Sequence, residues 1–208
     1  MTTALIVTSS ANGDASVSNR IAGAFADRLR EIDPAVRVIA RDVGGQPLPH
    51  LAPDNVAGVR AEARSDAEHA ARDLSDTLIA ELADADVLVI ASPMYNFGIS
   101  STLKAWFDHV LRPRVTFAYS EKGPEGLMTG KKAVVIESRG GFYSEGPAAA
   151  FDSQEAHLRN MLGFMGITDV TFVRAEKLAF GPDAVDAAVD AARAALDGFA
   201  REGLALAA

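Results

Sequence analysis

The chain has 208 residues, a formal net charge of -8 and no cysteine. Disulfides, thiolate metal sites and cysteine nucleophiles are thereby excluded, and nucleic acid and anionic membrane surfaces are disfavoured as partners. With 49% hydrophobic and 23% charged residues the composition is that of an ordinary globular protein able to bury its own core.

In chain order, short β-branched runs alternate with longer helical stretches, the pattern of a parallel α/β sheet. Residues 4–8 (ALIVT) form an unbroken apolar run that ends in a loop of small polar residues, so they read as a central strand. A helix is predicted from about Ser18, with Ile21, Phe25, Leu29 and Ile32 at helical spacing. Residues 36–40 are the second strand. The Pro- and Gly-rich segment 42–66 reads either as a disordered linker or as an active-site flap. A helix over 67–83 leads into the third strand, 87–91, and a further helix over 102–111. Residues 116–128 read as a small extended excursion. The fourth strand (133–136), a helix (155–165), the fifth strand (170–173) and an Ala-rich helix (183–202) complete a single domain spanning 1–208. The N-terminus has no basic leader, and no apolar run approaches the roughly 20 residues that span a bilayer, so a cytoplasmic protein is expected.

Doubly wound sheets bind ligands outside the carboxyl ends of their strands, where the strand order reverses. Three loops fall there. The first, 9–19, is dense in hydroxyls and precedes a helix, whose free N–H groups and partial positive charge suit a phosphate. Ser10, Ser16, Ser18 and Asn19 can add donors, although Ser18 can equally be a simple helix cap. Neither a Gly-x-Gly-x-x-Gly fingerprint nor a P-loop is present. The second loop, Ser92-Pro93-Met94-Tyr95-Asn96-Phe97-Gly98, carries apolar and aromatic residues that are awkward to bury at a strand end and that suit a flat aromatic ring. Some of them can instead pack under Trp106 and Phe107. The third loop, Ser138-Arg139-Gly140-Gly141-Phe142-Tyr143, has adjacent glycines that permit close backbone approach and positive φ. Arg139 can face negative charge on a ligand or pair with a surface carboxylate. The histidines (His50, His69, His109 and His157) lack metal-site spacing, so no metal is expected.

With these motifs, Gly123-Pro124-Glu125-Gly126-Leu127 and Gly163-Phe164-Met165-Gly166-Ile167, the sequence resembles the FMN-dependent NADH:azoreductases, which are related to the quinone reductases. The resemblance runs from Ala4 to about Pro182. It implies a flavodoxin-like doubly wound five-stranded parallel sheet, strand order 2-1-3-4-5, and a homodimer with active sites at its interface. It implies that Ser10, Ser16, Val17 and Ser18 meet the FMN phosphate and ribityl chain. Pro93, Met94, Tyr95, Asn96 and Phe97 would surround the isoalloxazine, and Ser138, Arg139, Gly140 and Gly141 would lie at its other edge. Tyr119, Phe164 and Tyr143 would line the substrate pocket, partly from the second subunit. Val17 departs from the polar residue often found between the phosphate-loop serines, and Tyr143 from the histidine of some relatives.

The expected chemistry is ping-pong hydride transfer from NADH, with NADPH as a possible donor, through FMN to small planar quinones or azo compounds. The cofactor supplies the reactivity, and Asn96 is the candidate for orienting flavin or substrate. A flavodoxin-type electron carrier that does not oxidise NADH directly is the competing reading. A non-catalytic α/β module is a further one.

Overall fold

Alternation of apolar strands with amphipathic helices sets the chain order in the computed structural model, which describes residues 1–121 and 123–205. The elements are β1 (Thr3–Thr8), α1 (Val17–Ile32), β2 (Arg37–Asp42), α2 (Val56–Arg60), α3 (Asp66–Asp84), β3 (Val87–Pro93) and α4 (Ser101–Val110). They continue with β4 (Phe117–Ser120), β5 (Gly123–Gly126), β6 (Lys132–Ser138), α5 (Gln154–Phe164), β7 (Asp169–Ala175) and α6 (Pro182–Ala205).

Five strands form a parallel sheet in the order β2-β1-β3-β6-β7. The three inner strands are almost wholly buried, which is why they read as continuous apolar runs rather than alternating ones. One face of the sheet packs against α3, α4 and α5 through Leu78, Leu82, Leu103, Trp106, Phe107, Leu158 and Leu162. The other packs against α1 and α6 through Ile21, Phe25, Leu29, Val189 and Leu196.

The expected count of five strands in all is corrected. The excursion after α4 folds into an antiparallel hairpin of β4 and β5, so the sheet order in chain numbering is 2-1-3-6-7. Only Phe117 of the hairpin is buried, too little apolar surface for it to join the main sheet. The connection from β1 to β2 runs one way and that from β2 across β1 to β3 the other, leaving a crevice beyond the ends of β1 and β3.

Segment 42–66 is not a disordered linker. It is a fixed strap that contains α2. Val43 is fully buried, and His109 Nε2 donates to the Pro49 carbonyl at 2.9 Å. Arg60 donates to the carbonyls of Leu111 and Asp108, and Arg72 to those of Gly58 and Ala61. Among the described residues no helix is long and apolar enough to cross a membrane.

Candidate active site

Beyond β1 the chain makes a short turn at 13–15 and enters α1 at Ser16, whose hydroxyl accepts from the Asn19 amide at 3.3 Å. Ser16 Oγ also lies 3.2 Å from Ser18 Oγ, and both residues are buried. Among the described residues the amides of Val17 and Ser18 have no acceptor, as expected for the first turn of a helix. The Val17 side chain packs on the core beneath the sheet, so only its amide is left for a ligand. A strap residue braces this loop from behind. A Cβ on Gly44 would lie 2.2 Å from the Ser10 carbonyl oxygen, so any larger residue there would displace the loop.

Beyond β3 a two-residue reverse turn is closed by paired backbone bonds, Tyr95 N to Gly98 O at 2.9 Å and Gly98 N to Tyr95 O at 3.1 Å. Asn96 and Phe97 at its tip both have positive φ, 48° and 71°. Asparagine tolerates that region; phenylalanine does so at a cost. The ring of Phe97 is 45% exposed, while Trp106 and Phe107 are fully buried, so this loop is not packed into the core beneath it. The Tyr95 hydroxyl instead crosses to the first loop, accepting from the Ala11 amide at 3.1 Å and meeting Ser10 Oγ at 3.3 Å. Pro93 is buried at the strand end, and among the described residues the amides of Asn96 and Phe97 have no acceptor.

Beyond β6, the Ser138 carbonyl accepts from the Met94 amide at 2.9 Å, joining the third loop to the second. Positive φ is not what the glycines provide here: neither Gly140 nor Gly141 adopts it. Gly141 provides room, since a Cβ would lie 3.0 Å from the Tyr143 ring. The amides of both glycines lack acceptors, while their carbonyls are held by Ala179 N and Lys177 N. Met94, Asn96, Phe97, Gly140 and Tyr143 line a cleft of about 290 Å³. Phe97 stands edge-on to Tyr143 with ring centroids 6.1 Å apart, and Phe151, which the sequence reading passed over, lies 5.4 Å from Phe97.

The Arg139 side chain does not face this cleft. It is completely buried, and of its carboxylate partners Glu137 is interior while Asp152 and Glu176 are partly exposed. Nη2 pairs with Glu137 at 2.7 Å and with Asp152 at 2.9 Å, Nη1 meets Glu176 at 3.3 Å, and Nε donates to Gln154 Oε1 at 3.2 Å. The physical reason is Glu137, a carboxylate on a strand covered on both faces, which requires a counter-charge. Burial pushes its carboxyl up to about 7 against the pull of Arg139, and Glu137 Oε1 has no partner. Burial would also raise the Glu176 carboxyl, but hydrogen bonds from Ser144, the Tyr143 amide and Arg139 outweigh it and hold that group below its ordinary value.

Tyr119 and Phe164 gather elsewhere, around Phe117, at centroid distances of 5.6 and 4.6 Å from it. This cluster exists because two of the sequence motifs meet. Gly126 lies against Gly166, where a Cβ would come within 2.1 Å of the Gly166 nitrogen, and Met128 N donates to Met165 O at 2.8 Å. Tyr119 is 74% exposed and neither residue lines the cleft of the same chain.

These groups fit FMN. Acceptor-free amides and buried hydroxyls at the α1 N-terminus suit its phosphate, and the four acceptor-free amides of Asn96, Phe97, Gly140 and Gly141 suit the carbonyl edge of a flat ring. Residues 2–199 match the family model described as flavodoxin-like fold. An FMN-dependent NADH:quinone oxidoreductase of Hyphomonas neptunium is 53% identical over 193 residues, 93% of each chain. One from Ralstonia nicotianae is 48% identical over 203 residues, 95% of this chain and 96% of the relative. The solved azoreductase of Bacillus anthracis superposes with a TM-score of 0.87 at 28% identity, covering 97% of this chain and 100% of that one. The chain therefore belongs to the flavodoxin-like fold family and, within it, to the FMN-dependent NADH:quinone oxidoreductases.

Proposed function

We propose that this chain is itself an FMN-dependent NADH:quinone oxidoreductase that also cleaves azo compounds to amines, with residues 1–208 forming one FMN-binding domain. One observation carries the reading: acceptor-free backbone donors from three separate loops gather at the carboxyl ends of β1, β3 and β6. Bound FMN would supply the two-electron chemistry, taking reducing equivalents from NADH and delivering them to a quinone or azo bond in ping-pong order.

The protein's own work is binding and orientation. Val17 and Ser18 hold the phosphate through their amides and Ser10, Ser16 and Ser18 through hydroxyls, with the α1 dipole adding partial positive charge. Pro93, Met94 and Tyr95 support the ring, and Asn96, Phe97, Gly140 and Gly141 meet its polar edge. Ser138 and Arg139 contribute by holding the loops in place, since the Ser138 carbonyl takes the Met94 amide and the Arg139 amide and carbonyl are bonded to Ala175 and Leu178. Tyr143 and Phe97, edge-on to each other, form an aromatic wall of the slot that donor and oxidant would occupy in turn, and Asn96 orients what lies there. Two copies pair so that exposed Tyr119 and Phe164 of each reach toward the other's slot, and the dimer works in the cytoplasm. NADH is the donor, and NADPH is the second donor to be tested.

Anaerobic titration of the FMN-loaded protein with NADH, followed by visible absorbance, tests this. Direct bleaching that a quinone or azo dye reverses is the expected outcome. Bound flavin indifferent to NADH and NADPH points to an electron carrier instead, and failure to retain FMN overturns the reading.

A further inference from the structure

The Arg139 guanidinium is the hub of a network whose branches end on the two neighbouring aromatic residues of the cleft, Tyr143 and Phe97. In one branch, Arg139 Nη1 meets Glu176 Oε1 at 3.3 Å, and that oxygen accepts from the amides of Tyr143 at 2.8 Å and Ser144 at 3.1 Å. In the other, Arg139 pairs with Asp152, whose Oδ1 accepts from the Gln154 amide at 2.9 Å. Ser153, between them, donates its amide and hydroxyl to the Phe97 carbonyl at 3.1 and 2.9 Å. Gln154, held by Arg139 Nε, donates to the Ser92 carbonyl at 2.8 Å and its hydroxyl at 3.0 Å, at the root of the Phe97 turn. One rigid fork thus spans Tyr143 and Phe97.

We propose that Arg139 is a positioning residue that holds Tyr143 edge-on to Phe97 as one aromatic wall, and through the extent of that wall sets the size of planar acceptor the enzyme takes. The inference rests on the oxidoreductase reading above. A flat one-ring quinone can rest on either ring alone, whereas a two-ring quinone spans both and needs them held side by side. A fold-stabilising role alone would reduce the active fraction and lower both activities equally. A positioning role changes their ratio.

The test compares wild type, Arg139→Lys and Glu176→Gln, each loaded with FMN. Lysine keeps the charge but cannot fork to both branches, and Glu176→Gln keeps an accepting oxygen for the Tyr143 amide while weakening the tie to Arg139. The kcat/KM ratio for 1,4-naphthoquinone over 1,4-benzoquinone is measured for each. Alongside it, the Kd ratio for the redox-inert 2-naphthol and phenol is read from perturbation of the flavin absorbance. Arg139→Lys is expected to shift both ratios by about tenfold, corresponding to about 1.4 kcal/mol, and Glu176→Gln to shift them less and in the same direction. Ratios unchanged in both variants overturn the proposal, whatever happens to Tm. If Arg139→Lys does not fold, Glu176→Gln alone decides. Wild-type protein that neither holds FMN nor reacts with NADH overturns the parent reading and the inference with it.

Discussion

The loop after β1 and the loop after β6 border the same crevice but are built on opposite electrostatic plans. The first presents neutral donors, the amides of Val17 and Ser18 and the hydroxyls of Ser16 and Ser18, and among the described residues no ion pair involves 9–19. The second buries a full guanidinium among Glu137, Asp152 and Glu176 and leaves only backbone and aromatic groups toward the slot. The difference follows from where the charge comes from. With FMN placed as proposed, its phosphate would bring a dianion to the first loop, and the protein need only leave donors without acceptors there. At the second the ring is close to neutral, so charge serves to fix loop geometry and is cancelled internally. The first loop should therefore be fragile in binding and the second fragile in folding.

Ser18→Asp probes the first half of that contrast with the largest effect. Ser18 is fully buried, so an acid there costs some stability, offset in part because the first turn of α1 favours negative charge. The same charge repels a phosphate at contact distance, and FMN affinity should fall by about a hundredfold or more, roughly 3 kcal/mol. Fluorescence titration of FMN beside a melting curve of the apoprotein reads both; undiminished affinity would remove the phosphate from this loop. Arg139→Leu probes the second half. It strands Glu137 in the interior, at a cost of about 3–5 kcal/mol, which lowers Tm by roughly 6–20 °C for a chain of this size. Adding Glu137→Gln should recover part of the loss, because the stranded charge is then gone. No recovery in the double variant would mean that packing, not charge, makes Arg139 necessary.

A smaller effect lies in the pH dependence of the same cluster. Folded Glu137 holds its proton up to about 7, against an ordinary value of 4.5. Between those values the folded state binds more protons than the unfolded one, so raising pH costs stability. Glu176 and Glu155, both held below their ordinary value, work in the opposite sense at lower pH. Glu137→Gln should therefore flatten the fall of Tm between about pH 5 and 7 by a few degrees. An unchanged slope would place the proton elsewhere.

How much of this the sequence foretold differs between the two loops for the same physical reason. The hydroxyl-rich loop advertises itself, because hydroxyls clustered between an apolar strand and a helix have few other uses. The parallel sheet was legible for a similar reason, since strands covered on both faces must read as unbroken apolar runs. The Arg139 network was not, because its members lie on β6, at the start of α5 and beyond β7, and only folding brings Glu137, Asp152, Gln154 and Glu176 together. One signal was available: Glu137 and Arg139 are two residues apart at the end of a strand, hence on one face, and a carboxylate in a buried strand demands a partner. The order of the strap at 42–66 was not legible, because it comes from Arg60, Arg72 and His109 bonds made or received by remote helices. Its Pro- and Gly-rich composition carries no trace of them.

The smallest prediction concerns the turn between these loops, where backbone strain and an aromatic wall meet at Phe97. Its φ of 71° is one that a side chain makes costly, and the ring is 45% exposed, so core burial does not explain its presence. Comparing Phe97→Ala with Phe97→Gly isolates the strain, because both remove the ring and its contacts with Tyr143 and Phe151. In an ordinary extended position alanine is the more stable of the two. In the left-handed region the order reverses, and glycine should win by about 1 kcal/mol, or roughly 2–4 °C in Tm. Both variants should raise KM for planar acceptors, since the wall is gone from each. An alanine variant as stable as the glycine one would show that the turn relaxes once the ring is removed. The strain would then belong to the aromatic contacts, and the slot would be held by its rings as much as by the buried charges behind it.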